Sequence, residues 1–306
     1  MSTLDSLLEM QKEFNDLFYD TECMSSSEKE DATKSLALAL YTEVGDLVST
    51  LNCKDHHVIK VDADRTKILF EAVDIFRYTL AILNTWDVDS LSFLTAFKDK
   101  DIFLKLRHKI YKDVWDGISP VVIVDMDDAI VDFRNGFANW LIKKHDVHPD
   151  IESKEYYFIS DLVGEGFNPE TVFQEFVSEG GFAKLSPING ALEFLDELKE
   201  KGYWIQILTA RPKDNLRCFY DTYRWLSENK VSFNRVDFSS EKFVWCAQSP
   251  YYDEQRIEYA IDDSPKHIHE YAMHGIKVYA PKMSYNIHLA DDDNVTMFDS
   301  FNDIEI

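Results

Sequence analysis

The sequence predicts a multidomain chain: an all-α helical bundle followed by an α/β Rossmann-like parallel sheet with a small helical cap. Three observations carry this. The first ~115 residues keep a helical apolar period almost without breakers. Gly45 is the only glycine before Gly117, and the first proline is Pro120. Beyond Asp116-Gly117-Ile118-Ser119-Pro120, a short breaker, β-branched runs alternate with longer amphipathic stretches, the pattern of parallel strands joined by helices. The domains are therefore placed at 1–116 and 117–306.

In chain order, helices are expected at roughly 3–20, 29–52, 64–85 and 89–113, with N-caps from Ser25-Ser26-Ser27-Glu28 and Asp62-Ala63-Asp64. Strands are expected at 121–125, 203–209, 257–262 and 276–280, and amphipathic helices at 189–201 and 213–229. Residues about 134–184 read as a helical, loop-rich insertion, the cap. DDDN at 291–294 reads as a turn.

Composition narrows the function. A hydrophobic fraction of 45% and an aromatic fraction of 14% are those of a packed globular protein. No apolar run approaches the roughly 20 residues that span a bilayer, and the N-terminus MSTLDSLLEMQKEF lacks the marks of a signal peptide. Cys23, Cys53, Cys218 and Cys246 are scattered without a CxxC, so a reducing cytoplasm is expected, with neither a disulfide framework nor a zinc site. The net charge of −24 repels phosphate backbones, and no basic patch offsets it, so no nucleic-acid partner is expected. Small anionic substrates remain open, given metal ions to neutralise them.

Two carboxylate pairs stand out in the helical region. LALALYTEVGDLVSTL carries Glu43 and Asp46, and TKILFEAVDIFRYTLAIL carries Glu71 and Asp74. The i, i+3 spacing places each pair on one helix face. The second helix is apolar nearly all round, so it is expected to be largely buried, with Glu71 and Asp74 at least partly inside. Local salt bridges from Lys67 and Arg77 are one reading. The other is an oxygen-only site for Mg²⁺ or Mn²⁺ on facing helices. This ExxD…ExxD pattern resembles the all-α nucleoside triphosphate pyrophosphohydrolases, MazG-like and dimeric dUTPase-like. The resemblance implies Mg²⁺ on Glu43, Asp46, Glu71 and Asp74, cleavage of a nucleoside triphosphate to monophosphate and pyrophosphate, and homo-oligomers sharing the helical core. Thr42 and Asp46 depart from the usual (E)ExxE. Lys98, Lys105, Arg107 and Lys109 either reach substrate phosphates or form a solvated helix face; Lys105 and Arg107 are the candidate substrate contacts.

The third cluster is VVIVDMDDAIVDF at 121–133, a strand that ends in Asp125, Asp127 and Asp128. Either these are solvated turn residues or they surround a cation. WIQILTARP ends another run at Thr209, SSEKF supplies Lys242, and RIEYAIDDSP ends a third at Asp262 and Asp263. In a parallel sheet, the carboxyl ends of neighbouring strands converge on the ligand crevice. The set resembles the haloacid-dehalogenase-like phosphohydrolases, and VDMDDAIVDF comes nearest to their 5′(3′)-deoxyribonucleotidase type. That resemblance makes Asp125 the nucleophile, Asp127 the acid and base, and Thr209 and Lys242 the phosphate holders. It also implies a Mg²⁺ site of Asp125, Asp127, Asp262 and Asp263. Asp128 and Ala129 replace the usual Gly and Thr or Val.

Together the resemblances imply a bifunctional nucleotide hydrolase, a compact fusion of the kind bacteriophages carry. A nucleotide sensor with an inactive second domain, and a phosphatase for another metabolite beside a structural bundle, are the alternatives.

Overall fold

The computed structural model describes residues 3–17, 24–51, 63–151, 159–164 and 166–305. Expectations resting on Cys23, Cys53, Asp62 and part of the cap lie outside these. The chain forms two compact units, Met1–Lys98 and Asp99–Ile306.

The first unit holds α1 (Thr3–Asn15), α2 (Ser26–Ser49), α3 (Arg65–Thr85) and the start of α4 (Ser90–Lys112). Ser25 and Glu28 close a reciprocal capping box on α2, and Asp64 caps α3 by accepting from the Thr66 and Lys67 amides. Helices α1 and α2 both pack on α3. The expected burial of α3 is not found: only Leu80, Ala81 and Thr85 are buried along it, and Phe70 is 64% exposed. Two packing neighbours cannot cover a helix that is apolar on every side. Glu71 is accordingly half-buried and Asp74 exposed.

Helix α4 ends before the 116–120 breaker, and its last turns already belong to the second unit. There Phe103 meets the Phe219, Tyr220 and Tyr223 rings edge-on. Asp99 pairs with Arg217 and Arg224 at 3.5 and 3.6 Å.

The rest of the second unit is a six-stranded parallel sheet in the order β3-β2-β1-β4-β5-β6. Its strands are β1 (Val121–Val124), β2 (Trp204–Thr209), β3 (Arg235–Phe238), β4 (Ile257–Ile261), β5 (Val278–Pro281) and β6 (Val295–Phe298). After β1 come α5 (Phe133–His145), α6 (Ile159–Val163), α7 (Pro169–Ser178) and a 3₁₀ turn, Phe182–Lys184, so the described part of the insertion is helical as expected. Then follow α8 (Ala191–Glu200), α9 (Leu216–Glu228), α10 (Lys242–Ala247), α11 (Pro250–Asp253) and α12 (Pro265–Met273). Residues of β1 and β2 are buried on both faces, as β-branched runs between helical layers must be. The register pairs Val124 with Ile207 on one side and Ile261 on the other. Strands β1, β2 and β4 therefore lie side by side and end at one edge. DDDN is the turn before β6.

Candidate active sites

Asp125 follows the last residue of β1, and its amide donates to Ile261 O on β4 at 2.9 Å. Lys242, the first residue of α10, is fully buried and joins the motifs: its Nζ lies 2.6 Å from Asp125 Oδ1 and 2.7 Å from Asp262 Oδ2. Burial opposes the charge of this ammonium, but Asp125 and Asp262 outweigh it and hold the proton on. Asp262 Oδ1 accepts from the Ser264 amide at 3.0 Å, and Asp263 Oδ2 accepts from Tyr285 Oη at 2.5 Å.

Asp125, Asp262 and Asp263 bring carboxylate oxygens within 4.8 Å of one another, all three residues buried. Burial pushes Asp125 up to about 6. The same desolvation raises Asp262, and it raises Asp263 further with help from the neighbouring Asp128 and Asp125 carboxylates. The cluster holds more negative charge than Lys242 balances, and its ligands are all oxygen, so it fits a hard divalent cation such as Mg²⁺. Asp127, expected among the ligands, stands outside this trio: its Oδ1 and Oδ2 accept from Arg211 Nη2 and Nε at 2.6 and 2.8 Å.

Asp128 takes the left-handed conformation, φ +54°, where the related motif has glycine. Its amide donates to Val131 O and its Oδ1 accepts from the Arg134 amide at 2.9 Å. The short polar side chain thus closes the turn after Asp125, while burial pushes its carboxyl up to about 8.

A cavity of about 490 Å³ opens over these groups. Asp125, Asp127 and Lys242 line it, and Phe133 at the start of α5 with Phe173 and Phe182 from the cap form an apolar wall. Arg211 and His267 also line it, and reading the sequence missed both. Arg211 was visible in ILTARP; its role depends on a carboxylate 84 positions away. Thr209 is buried at the end of β2, its Oγ1 accepting from the Arg211 amide at 3.3 Å.

In the first unit, Glu43, Asp46 and Glu71 also bring carboxylate oxygens within 4.8 Å. Partial desolvation, then the charges of Asp74, Asp46 and Glu71, push Glu43 up. Three of the four motif carboxylates are thus gathered in a set that fits a divalent cation, while Asp74 stands outside the trio, near enough for its charge to raise Glu43. Glu43 and Asp74 line a cavity of about 510 Å³ with Gln11, Asn15, Arg77 and Phe14. Gln11 and Asn15 were not anticipated. They are buried and joined Nε2 to Oδ1 at 2.8 Å, and Arg77 Nε donates to Gln11 Oε1 at 3.1 Å. Lys105 and Arg107 are not among the lining residues: Lys105 pairs with Asp101 at 2.6 Å, and Arg107 lies over the Phe103 ring.

Comparison with known proteins matches both regions. Residues 119–305 match the family model described as 5′ nucleotidase, deoxy (Pyrimidine), cytosolic type C protein, and residues 3–139 match that of dUTPase. A Bacillus cereus protein described as a candidate nucleotidase is 27% identical over 175 residues, 54% of this chain and 87% of the relative. Among solved structures, a HAD hydrolase of family IA, variant 3, from Entamoeba histolytica is 15% identical with a TM-score of 0.39, covering 61% of this chain and 96% of that one. A HAD family hydrolase from Deinococcus radiodurans is 14% identical with a TM-score of 0.41, covering 61% and 94%.

Proposed function

The chain belongs to the 5′ nucleotidase, deoxy (Pyrimidine), cytosolic type C family, with a dUTPase-like region before it, and we propose that it performs two hydrolyses in succession. The first converts a deoxypyrimidine nucleoside triphosphate, dUTP or dCTP, to its monophosphate and pyrophosphate. The second converts that monophosphate to nucleoside and phosphate. The observation that carries this reading is Lys242 bridging Asp125 and Asp262 under an aromatic wall.

In the second reaction an Asp125 carboxylate oxygen bonds to phosphorus while the P–O5′ bond breaks, and Asp127 gives a proton to the leaving oxygen. Water then bonds to phosphorus as the aspartyl–phosphorus bond breaks, returning a proton to Asp127. Lys242 and the Thr209 end of β2 hold phosphate oxygens and offset their charge. Phe133, Phe173 and Phe182 offer an apolar wall to a base. In the first reaction Gln11 and Asn15 offer paired amides to a pyrimidine edge, and Arg77 offers charge. Divalent cations on the two carboxylate clusters would neutralise phosphate charge and, at the N-terminal cluster, activate the attacking water.

The N-terminal site works in a homo-oligomer in this reading. Leu38, Tyr41, Leu69 and Phe70 are each 60% exposed or more, an apolar surface that a second copy would cover. No helix among the described residues is long and apolar enough to cross a membrane. A reducing cytoplasm is the proposed location, supported by the buried free thiols of Cys218 and Cys246.

The test is a time course with each deoxynucleoside triphosphate and Mg²⁺, resolving nucleotides, nucleoside, pyrophosphate and phosphate. Deoxyuridine or deoxycytidine appearing after transient monophosphate is expected. Absence of turnover for every nucleotide would sink the proposal in favour of a binding role.

A further inference from the structure

We infer that Arg211 is the positioning residue of Asp127, setting the pitch of the group that exchanges protons with the leaving oxygen and with water. This deepens the phosphatase reading above and rests on it.

Arg211 engages both oxygens of Asp127 side-on, at 2.6 and 2.8 Å, the planar two-donor geometry that fixes a carboxylate in plane as well as in distance. The clamp is itself fixed from three directions. Nη1 donates to Thr222 Oγ1 on α9 at 3.1 Å, the Arg211 amide donates to Thr209 Oγ1, and the guanidinium lies 4.3 Å from the Phe182 ring centroid. Arg211 is only 4% exposed, so it cannot swing into solvent, whereas the Asp127 side chain keeps 26% of its surface toward the cavity.

Phe182 lies in the 3₁₀ turn that ends the cap, and Phe133 stacks against it at 5.7 Å. The same wall that meets the base therefore packs on the arginine that orients the acid. Among the described residues no such two-donor clamp holds Asp125, whose partner Lys242 is a point charge reaching a single oxygen. The nucleophile and the acid are thus placed by different cations, and their losses can be separated.

The two steps differ in their need for Asp127. Expulsion of a nucleoside alkoxide requires its proton; expulsion of p-nitrophenolate does not. Hydrolysis of the aspartyl phosphate requires Asp127 as base for either substrate. The experiment compares wild type, Arg211→Met and Arg211→Lys with Mg²⁺, using dUMP at steady state and p-nitrophenyl phosphate under single-turnover conditions with protein in excess. Arg211→Met is expected to lower dUMP turnover ~10²-fold, within the range general acid–base groups supply. Its single-turnover release of p-nitrophenol should stay within about threefold of wild type, because attack by Asp125 is untouched. Arg211→Lys keeps charge but not the two-donor plane and should lose roughly 10-fold on dUMP alone; it carries the test if the methionine variant does not fold. A lysine variant in which both readouts fall together would overturn the inference and make Arg211 a structural or phosphate-binding group. Unchanged dUMP turnover would overturn it as well. Wild type inert to both substrates would instead remove the phosphatase reading itself.

Discussion

Two carboxylate clusters, each able to hold a divalent cation, are built in opposite ways. In the sheet unit the acids are buried, held by the Ser264 amide and the Tyr285 hydroxyl and bridged by a buried lysine. In the helical unit Glu43 and Glu71 are half-buried and Asp46 and Asp74 exposed, on helices whose apolar faces lie open. The sheet unit completes its site within one chain because strand ends converge whatever the rest of the protein does. The helical unit supplies the ligands but not the cover. A site's ligands and its dielectric surroundings are separate inheritances, and sequence spacing speaks only for the first.

The largest effect should come from removing the bridging cation. Lys242→Met leaves two buried carboxylates uncompensated, which costs about 3–5 kcal/mol in such settings. A lower urea midpoint and loss of phosphate release are expected. Lys67→Met beside Glu71 should shift stability by no more than about 0.5 kcal/mol. Equal shifts for the two variants would erase the contrast.

Leu69→Glu strikes the open face of α3. An unpaired charge buried in an interface costs about 2–5 kcal/mol. Sedimentation should show smaller species and pyrophosphate release should fall, with dUMP hydrolysis unchanged. A wild-type protein that is monomeric at all concentrations would break this part of the comparison.

His267 gives a pH signature for the buried site alone. Burial pushes its imidazole down to about 4 from 6.5, with nearby Lys242 acting in the same direction. The neutral ring is a stabilising feature fully present above about 6.5 and lost as pH falls toward 4, because the unfolded chain takes up the proton first. Unfolding free energies from urea titrations across that window should drop by about 1–2 kcal/mol more for wild type than for His267→Gln.

The smallest effect is at Asp128. Glycine accepts φ +54° without the cost of about 1 kcal/mol borne by a side chain and removes a desolvated carboxyl. The Arg134 amide loses its acceptor in exchange. Asp128→Gly should melt within a few degrees of wild type and hydrolyse dUMP within about tenfold of it.

The outline of the fold was legible because its signals are local. Caps at Ser25 and Asp64, β-branched runs and the 116–120 breaker need only near neighbours. Strands β3 and β6 were missed for the same reason: RVDF carries two charges, and VTMF has two non-buried residues, so neither shows a continuous apolar run. Motif spacing also made the two acidic clusters and Lys242 legible. Arg211, Gln11 and Asn15 were not, since each acquires its meaning from a partner or cavity that only the fold assembles. The reading of α3 as a buried helix failed because an all-round apolar pattern reports a demand for cover without saying which chain meets it.

The most direct test of two independent sites uses Glu71→Gln and Asp125→Asn, alone and mixed, with dUTP and Mg²⁺. Glu71→Gln should leave dUTP intact yet dephosphorylate added dUMP, and Asp125→Asn should stop at dUMP and pyrophosphate. The mixture should carry dUTP through to deoxyuridine. Either single variant losing both activities, or a mixture that fails to form deoxyuridine, would contradict the account.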